Sequence, residues 1–427
     1  MNNSANRYHS KLILWFYLIA IFCLANGAFF TWLFKGTPLS MWRQIIWMSG
    51  LIIIAYTFPI TKKIKSFRSI FRWHLIALYF IIISALISYA AYGFNPTRLA
   101  YSIWIYFSGL PFILLPFFIS KFRIISAKKF YQIFTFLGIF MTIGLCIDYA
   151  TNGSITSAFL ISSNESIEGL INDKRYCFLS EAPTTFGVYY CFCLICTIMT
   201  IYNTNNACFR IILFITTLSY IAASWVTGSR QIVAVLILSE IIGFSYYLFR
   251  SKTHKKKFLI ASIIITILAL PTALEYATNQ DNYNKRYSSS ALSKDTRSEN
   301  WMKGYRETVI ENPVVFLFGH GASYIQGQKA SPKEIVGSHY ENTIFSRLSE
   351  LGIGGLILLL FPVFYLLGHW KHKSLFYILI LSINIAFLFT CYVSPNGVHQ
   401  TTQMIMYMAT GMIICADYFK EPVQHIK

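Results

Sequence analysis

The sequence predicts an all-α membrane protein, a polytopic bundle of about twelve transmembrane helices with a large, partly helical periplasmic loop between helices 9 and 10. Of the 427 residues, 55% are hydrophobic and only 12% are charged. A soluble domain carries about a quarter charged residues. Two further observations agree with a membrane bundle: hydrophobic runs long enough to cross a bilayer recur along the chain, and basic residues gather in alternate connections.

The hydrophobic runs define the elements in order. They start near Leu12, Ile45, Leu75, Ser102, Phe130, Thr185, Ile211, Gln231, Phe258, Leu351, Ser374 and Met404. The first run is too long for the core of a signal peptide, so we expect it to remain as an anchor. The chain then divides into spans 1 to 9 (1–277, with an outer excursion at 151–184), the periplasmic loop (278–347), and spans 10 to 12 with a tail (348–427).

The basic residues orient the bundle. A net charge of +19 could suit a nucleic-acid partner, but much of it lies in short connections such as 62–72, 121–129 and 250–257. Positive charge in short connections marks the cytoplasmic side of a membrane. We therefore expect both termini in the cytoplasm, the lipid bilayer as a partner, and no nucleic-acid partner.

The nine cysteines predict no disulfide framework. Cys177 alone lies in a predicted outer loop, and Cys191, Cys193 and Cys196 lie within an apolar run. Thiolate ligands there would lack the polar groups that surround metal sites, so core packing is the better interpretation and no metal is expected.

Two arginines stand at predicted outer ends of helices. Arg230, in Thr227-Gly228-Ser229-Arg230, begins the eighth run, where a guanidinium and free backbone N–H groups suit an anionic oxygen such as a lipid phosphate. The alternative is a headgroup anchor. Arg175 precedes Glu181 and Pro183 before the sixth run, and can present a bidentate donor or form a surface salt bridge with Glu181.

The long loop contains a predicted helix, capped by Asp295 or Thr296 and ended by Asn312-Pro313. Its apolar members recur at helical spacing and are Trp301, Met302, Tyr305, Val309 and Ile310. We expect this helix to lie on the bundle. Arg297 and Arg306 flank its apolar stripe, either as solvated charges or as phosphate ligands.

Two polar motifs follow. Gly319-His320-Gly321 predicts a tight turn that allows close backbone approach, with His320 in a structural role. His339 and Glu341, beside Asn342, stand where the loop enters the membrane and could remove a proton from a hydroxyl group, or else hydrogen-bond the loop backbone. Glu240, deep in the eighth run, is expected to be protonated or hydrogen-bonded to a neighbouring helix.

Three groups of motifs occur in a fixed order over roughly residues 175–360. They are Thr227-Gly228-Ser229-Arg230; Arg297 and Trp301 before Asn312-Pro313 and Gly319-x-Gly321; and Glu341-Asn342 before Glu350-Leu351-Gly352 and Gly355. In this order they resemble the bacterial O-antigen ligase and O-antigen polymerase superfamily. The first five runs resemble that superfamily only in hydropathy.

The resemblance implies glycosyl transfer at the periplasmic face of a bacterial inner membrane from an undecaprenyl-diphosphate-linked oligosaccharide, with neither a cofactor nor a metal. It implies that Arg230 and Arg297 bind the diphosphate, with Arg175 and Arg306 behind them, and that Glu341 or His339 is the base. Asn342, Gly319, Gly321 and Trp301 would support the site, and a chain-length regulator protein would be a further partner.

One departure bears on the choice within the superfamily. Ligases typically carry His-Asn before the Glu-Leu-Gly stretch, whereas here Glu341 occupies the position of that histidine. This favours a polysaccharide polymerase of O-antigen or capsule type over the ligase that transfers glycan to lipid A core. A twelve-helix transporter, including a lipid-linked glycan flippase, is the alternative from another class, although the internal repeats and midplane sites of transporters are not evident in the sequence.

Overall fold

The computed structural model is all-helical over the residues that it describes. These are 3–92, 96–159, 175–181, 183–227, isolated positions between 232 and 241, 297–310, 313–321, 342–369, 375–393 and 399–419. Most of the eighth and ninth predicted spans therefore falls outside the described residues.

Sixteen α-helices are described. They are α1 (Asn3–Ala25), α2 (Gly27–Leu33), α3 (Trp42–Thr61), α4 (Lys65–Tyr92), α5 (Pro96–Phe107), α6 (Leu114–Phe122), α7 (Ala127–Ala150), α8 (Ser154–Phe159), α9 (Pro183–Tyr202), α10 (Ala207–Val226), α11 (Arg297–Tyr305), α12 (Pro313–Phe318), α13 (Thr343–Gly368), α14 (Leu375–Val393), α15 (Gln400–Ile414) and α16 (Ala416–Phe419). Short 3₁₀ segments precede α3 and α6, and a π-helical turn, Arg306–Ile310, follows α11.

The apolar helices indicate a membrane-spanning bundle. Among the described residues, 7 helices are long and apolar enough to cross a bilayer, or up to 8 if a bent pair counts as one span. That pair is α1 and α2, whose axes differ by 93° at Asn26. α9 contributes a shorter apolar stretch, Gly187–Tyr202. The total of twelve spans remains a prediction.

Burial separates the centre of the bundle from its periphery. The span Ile103–Phe122 is 83% buried by its own chain, whereas Pro38–Thr61 is only 17% buried. Three of the cysteines of the apolar run, Cys191, Cys193 and Cys196, lie within α9 and are buried in the largest core cluster. The centre of the bundle therefore holds the packed side chains, and the outer helices present apolar surface to lipid.

Contacts between helix ends define two opposite faces. At one face, Thr401 Oγ1 at the start of α15 donates to Leu24 O near the end of α1. At the other, Tyr131 Oη near the start of α7 donates to Phe419 O at the end of the chain's last described helix. We name the first the Glu181 face, after a residue that lies on it. That this face is periplasmic remains a prediction.

Capping explains why α13 begins inside the predicted loop. Asn342 accepts hydrogen bonds from the N–H groups of Ile344 (2.8 Å) and Phe345 (3.2 Å), so the helix begins at Thr343. An asparagine is among the best N-cap residues. As a result Arg347 and Glu350, which the sequence places at the loop's entry into the membrane, lie within a helix that is long and apolar enough to cross a bilayer.

Candidate functional site

The segment 175–181 is attached to the end of α10. Tyr176 N–H donates to Val226 O over 3.2 Å. Val226 directly precedes the predicted motif Thr227-Gly228-Ser229-Arg230. Arg175 is half-buried beside this junction. Arg175 thus lies beside the end of α10, and Arg230 lies outside the described residues.

Asp148, at the last turn of α7, holds this segment in place. Its buried carboxylate accepts hydrogen bonds from the N–H groups of Ile155 (2.9 Å), Thr156 (3.0 Å) and Phe178 (3.2 Å), and from the Thr156 hydroxyl. A carboxylate satisfied by several donors costs little to bury. Asp148 therefore acts as a structural anchor for the loop that carries Arg175.

A second cluster ends the segment. Glu181 pairs with Arg43 at the start of α3 through one carboxylate oxygen, and accepts a hydrogen bond of 2.6 Å from His399 Nε2 through the other. Arg43 also donates to Thr31 Oγ1 over 3.0 Å. Gly27 leaves space for the carboxylate, because a Cβ there would lie 2.9 Å from Glu181 Cδ. We call Arg43, Glu181 and His399 the Glu181 cluster.

The tautomer of His399 follows from its position at the start of α15. Its Nδ1 accepts the N–H of Thr401 as an N-cap, over 3.4 Å, which leaves the proton on Nε2 to be donated to Glu181. Burial, with the nearby Arg43 guanidinium, lowers the pKa of His399 to about 3. The Glu181 carboxylate is already paired with the Arg43 guanidinium. It therefore stabilises the protonated, positively charged form of His399 less than an unpaired carboxylate would. The cluster is a neutral His, a carboxylate and a guanidinium that join three parts of the chain.

This arrangement predicts a pH dependence of stability. The folded-state pKa of His399, about 3, is below its unfolded value of about 6.5, so the unfolded chain binds the proton more readily. Stability from neutral His399 is therefore fully present above about pH 6.5 and falls, by at most about 1.4 kcal/mol per pH unit, as the pH drops towards 3. We expect thermal unfolding at about pH 7.5 and about pH 5 to show a larger loss for the wild type than for His399→Asn.

Asparagine is the matched replacement, because it retains an N-cap acceptor for Thr401 without a titrating group. An equal fall in the unfolding temperature of both proteins would contradict the assignment of this pH dependence to His399.

The helix of the long loop lies on the bundle. α11 packs its Trp301 ring 4.3 Å from the ring of Tyr392, at the end of α14. Asn342 Nδ2 donates to Tyr392 O over 2.9 Å, so the cap of α13 and the aromatic pair adjoin one another. Tyr305 packs edge-on against Phe345. Trp301 and Asn342, two predicted supporting residues, are thus brought together through Tyr392.

The Gly319-His320-Gly321 turn meets α13 where that helix is broken. His320 N–H donates to Ser349 O (2.7 Å) and Gly321 N–H to Glu350 O (3.0 Å), while Ser84 Oγ in α4 donates to the same Glu350 carbonyl (2.9 Å). Gly352 takes φ 57° and ψ −147°, a conformation essentially confined to glycine. The break leaves the carbonyl groups of Ser349 and Glu350 without hydrogen-bond donors from within α13. The N–H groups of the turn and the Ser84 hydroxyl donate to them instead.

A buried ion pair lies beside this break. Arg347 and Glu350 pair one helical turn apart, and Arg347 Nη1 also donates to Tyr106 Oη over 2.7 Å. Tyr106 Oη in turn donates to Glu350 Oε2 over 3.1 Å. Both charged residues are buried, at 5% and 2% exposure. Hydrogen bonds from a tyrosine to both partners offset part of the cost of burying them.

The sequence matches no known protein-family model, and no curated protein matches it either.

The predicted site residues divide into three groups. Trp301, Asn342, Gly319 and Gly321 lie at the contacts with α13 and α14, and Arg175 is half-buried beside the end of α10. Arg306 is exposed on the π-helical turn, and Arg297 opens α11. Arg230, His339, Glu341 and Glu240 lie outside the described residues, as does the side chain of Arg297.

Sequence reasoning missed Arg43, His399, Arg347 and Tyr106. Arg43 and His399 reach Glu181 from 138 and 218 residues away, and a lone arginine or histidine at the edge of an apolar run carries no local signal. Arg347 and Glu350 were the one pair with a signal, since they stand three apart on a helix and of opposite charge.

Proposed function

We propose that this protein is a polysaccharide polymerase, of O-antigen or capsule type, that transfers a growing glycan from undecaprenyl diphosphate to an incoming lipid-linked repeat unit. The reaction takes place at the Glu181 face, on the periplasmic side of a bacterial inner membrane. A chain-length regulator is a further partner in this proposal.

One observation carries the proposal. The Gly319-x-Gly321 and Glu350-Leu351-Gly352 motifs, which resemble the O-antigen polymerase superfamily, form one backbone contact through His320–Ser349 and Gly321–Glu350 hydrogen bonds. Motifs that are separate in the sequence are thus one structural unit. The start of α13 and the helix that carries Arg297 and Trp301 pack beside it. Residues with a shared chemical task are expected to gather in this way.

The proposed reaction is a single displacement. A hydroxyl oxygen of the incoming repeat unit attacks the anomeric carbon of the growing glycan, and Glu341 or His339 takes the hydroxyl proton. The bond from the anomeric carbon to the phosphate oxygen breaks, and undecaprenyl diphosphate leaves with the electron pair. Arg230 and Arg297, with Arg175 and Arg306 behind them, stabilise the negative charge on that leaving group. Attack from the opposite side inverts the anomeric centre.

The decisive experiment uses purified protein in vesicles with a lipid-linked repeat unit. A polymerase forms a ladder of products, and Arg297→Ala should abolish it, because a leaving group that loses charge stabilisation reacts about 10² to 10³-fold more slowly. Lys303→Ala is the matched control: Lys303 is on the same helix and exposed, in a loose pair with Glu307 of 3.8 Å, and should retain the full ladder. Full-length product from Arg297→Ala would reject its role.

A second comparison separates the two candidate bases. If Glu341 takes the proton, Glu341→Gln should lose the ladder and His339→Ala should retain it. The opposite pattern would assign the base to His339. In the same vesicles, a lipid A core acceptor tests the rival activity, since transfer to that acceptor without a ladder identifies a ligase.

One observation favours a transporter as the second candidate. α13 is broken inside the membrane next to a buried charge pair, and broken helices of this kind form the ion and substrate sites of transporters. Here, however, the Ser349 and Glu350 carbonyls at the break are already bonded to the Gly319–Gly321 turn and to Ser84. Movement of the lipid-linked repeat unit across the vesicle membrane, without a ladder, would favour the transporter.

A further inference from the structure

The short helix α12 lies beside the N-terminal half of α13, and not beyond the end of that helix. Residue 317 lies opposite residue 352, residue 319 opposite 350, and residue 320 opposite 349. The two segments therefore run antiparallel. Glycines make this approach possible: a Cβ on Gly319 would overlap the carbonyl oxygen of Glu350, and one on Gly352 would overlap the backbone of Leu317. The backbones are therefore in direct contact.

The position of this contact along α13 gives its depth. α13 has 26 residues and is broken at Gly352, so its length is at most about 39 Å at about 1.5 Å per residue, against a hydrocarbon core of about 30 Å. A centred helix of that length extends at most about 4 to 5 Å beyond the core on each side. Glu350 and Gly352 lie about 10 and about 13 Å along the helix from its start. The contact is thus at least about 5 Å inside the hydrocarbon.

α4 gives the same depth independently. Phe318 packs against Phe80, with ring centroids 6.4 Å apart, and Phe80 is about 10 Å below Ile87, which ends the candidate span of α4. Ser84 of the same helix bonds to Glu350 O. Two spanning helices therefore place the end of α12 below the membrane surface.

The outward side of α12 is apolar and uncovered by the described part of the chain. Val314 is 57% exposed and Leu317 is 43% exposed. α4, which contacts α12 through Phe80 and Phe318, exposes the apolar residues Tyr79, Ile82 and Leu86 along its candidate span. The exposed apolar side chains of α12 thus lie at the depth of exposed apolar side chains of a spanning helix.

We propose that α12 is a re-entrant membrane element whose Val314–Leu317 surface contacts the hydrocarbon chains of the bilayer. The part of the loop that the sequence places in the periplasm would then enter the membrane and deliver the Gly319–Gly321 turn to the break in α13. An irregular turn is stable at that depth because its N–H groups bond to α13 carbonyls. This proposal is independent of the polymerase function.

Depth-dependent fluorescence quenching tests it. Cys146, Cys208 and Cys415, the cysteines that are not buried, are replaced by Ala, and Val314→Cys is labelled with an environment-sensitive nitrobenzoxadiazole dye. In phosphatidylcholine vesicles, we expect a blue-shifted emission that is quenched more by a nitroxide on the lipid acyl chain than by one on the headgroup. Aqueous iodide should quench it little.

Two matched labels calibrate the result. Ile82→Cys, on the lipid-facing side of α4, should behave as Val314→Cys does. Met302→Cys, on the exposed side of α11 near the start of α13, should be quenched by iodide and by the headgroup nitroxide. If the label at 314 behaves as the one at 302, the helix lies in water. If neither nitroxide nor iodide quenches it, protein covers the surface. Either result would overturn the proposal.

Discussion

Replacement of Arg347 by Met should strongly destabilise the folded protein. The change leaves the Glu350 carboxylate buried without its counter-charge, with only Tyr106 as a donor among the contacts described above. Breaking a buried ion pair by removing one partner costs about 3 to 5 kcal/mol, which is a large part of a total stability of about 5 to 15 kcal/mol. The measurement is the amount of monodisperse protein after detergent extraction and its unfolding temperature.

Two further variants separate charge burial from other effects. Arg347→Met with Glu350→Met removes both charges and should recover much of the stability, because replacing a whole buried pair by apolar residues is often neutral. Lys303→Met breaks the exposed Lys303–Glu307 pair and should change stability by less than about 1 kcal/mol. A double variant as unstable as Arg347→Met alone would show that the loss comes from something other than the unpaired carboxylate.

The same ion pair explains why α13 begins at Thr343, whereas the hydrophobic run in the sequence begins near Leu351. Hydropathy starts the tenth run near Leu351, after both Arg347 and Glu350, because single residues are scored without their partners. In the folded chain they satisfy each other and share Tyr106, which is 241 residues from Arg347 along the chain. Asn342 then caps the helix that the charges would otherwise interrupt. A partner so distant leaves no trace in a local pattern.

The long apolar runs were predictable from two requirements on a spanning helix. Its backbone N–H and C=O groups must hydrogen-bond to one another, and its side chains must be apolar along the whole length that contacts lipid or the protein core. α4, α7 and α13 are among the spans that the structure contains. The 93° bend between α1 and α2 was not predictable, since it occurs at Asn26 within one continuous apolar run. Hydropathy gives the length of such a run and not its direction.

The candidate site was predictable only where one motif carried several polar residues. Gly319 and Gly321 were identified as a turn that permits close approach, and their contact with Glu350 depends on that property. Arg43 and His399 became part of the site only through Glu181. Their roles depend on which helix ends share a face, and that is a property of the assembled bundle.

Gly352→Ala should have the second largest effect on stability. At φ 57° and ψ −147° an alanine is strained by about 1 to 3 kcal/mol. Its Cβ would also overlap the backbone of Leu317, which adds a similar cost of overpacking. We expect a total loss on the order of 3 kcal/mol or more, together with loss of any activity that needs the Gly319–Gly321 turn on α13. Unfolding temperature and product ladder are measured on the same preparation.

Gly368→Ala provides the control within the same helix. Nothing lies within 4 Å of a Cβ at Gly368, and the residue is helical, so alanine should leave stability unchanged or raise it by up to about 1 kcal/mol. The two substitutions add the same methyl group to α13 and differ only in backbone conformation and in what the methyl group meets. If Gly352→Ala unfolds at the same temperature as Gly368→Ala, then α13 is not broken at Gly352, and the turn cannot bond to its carbonyls as described.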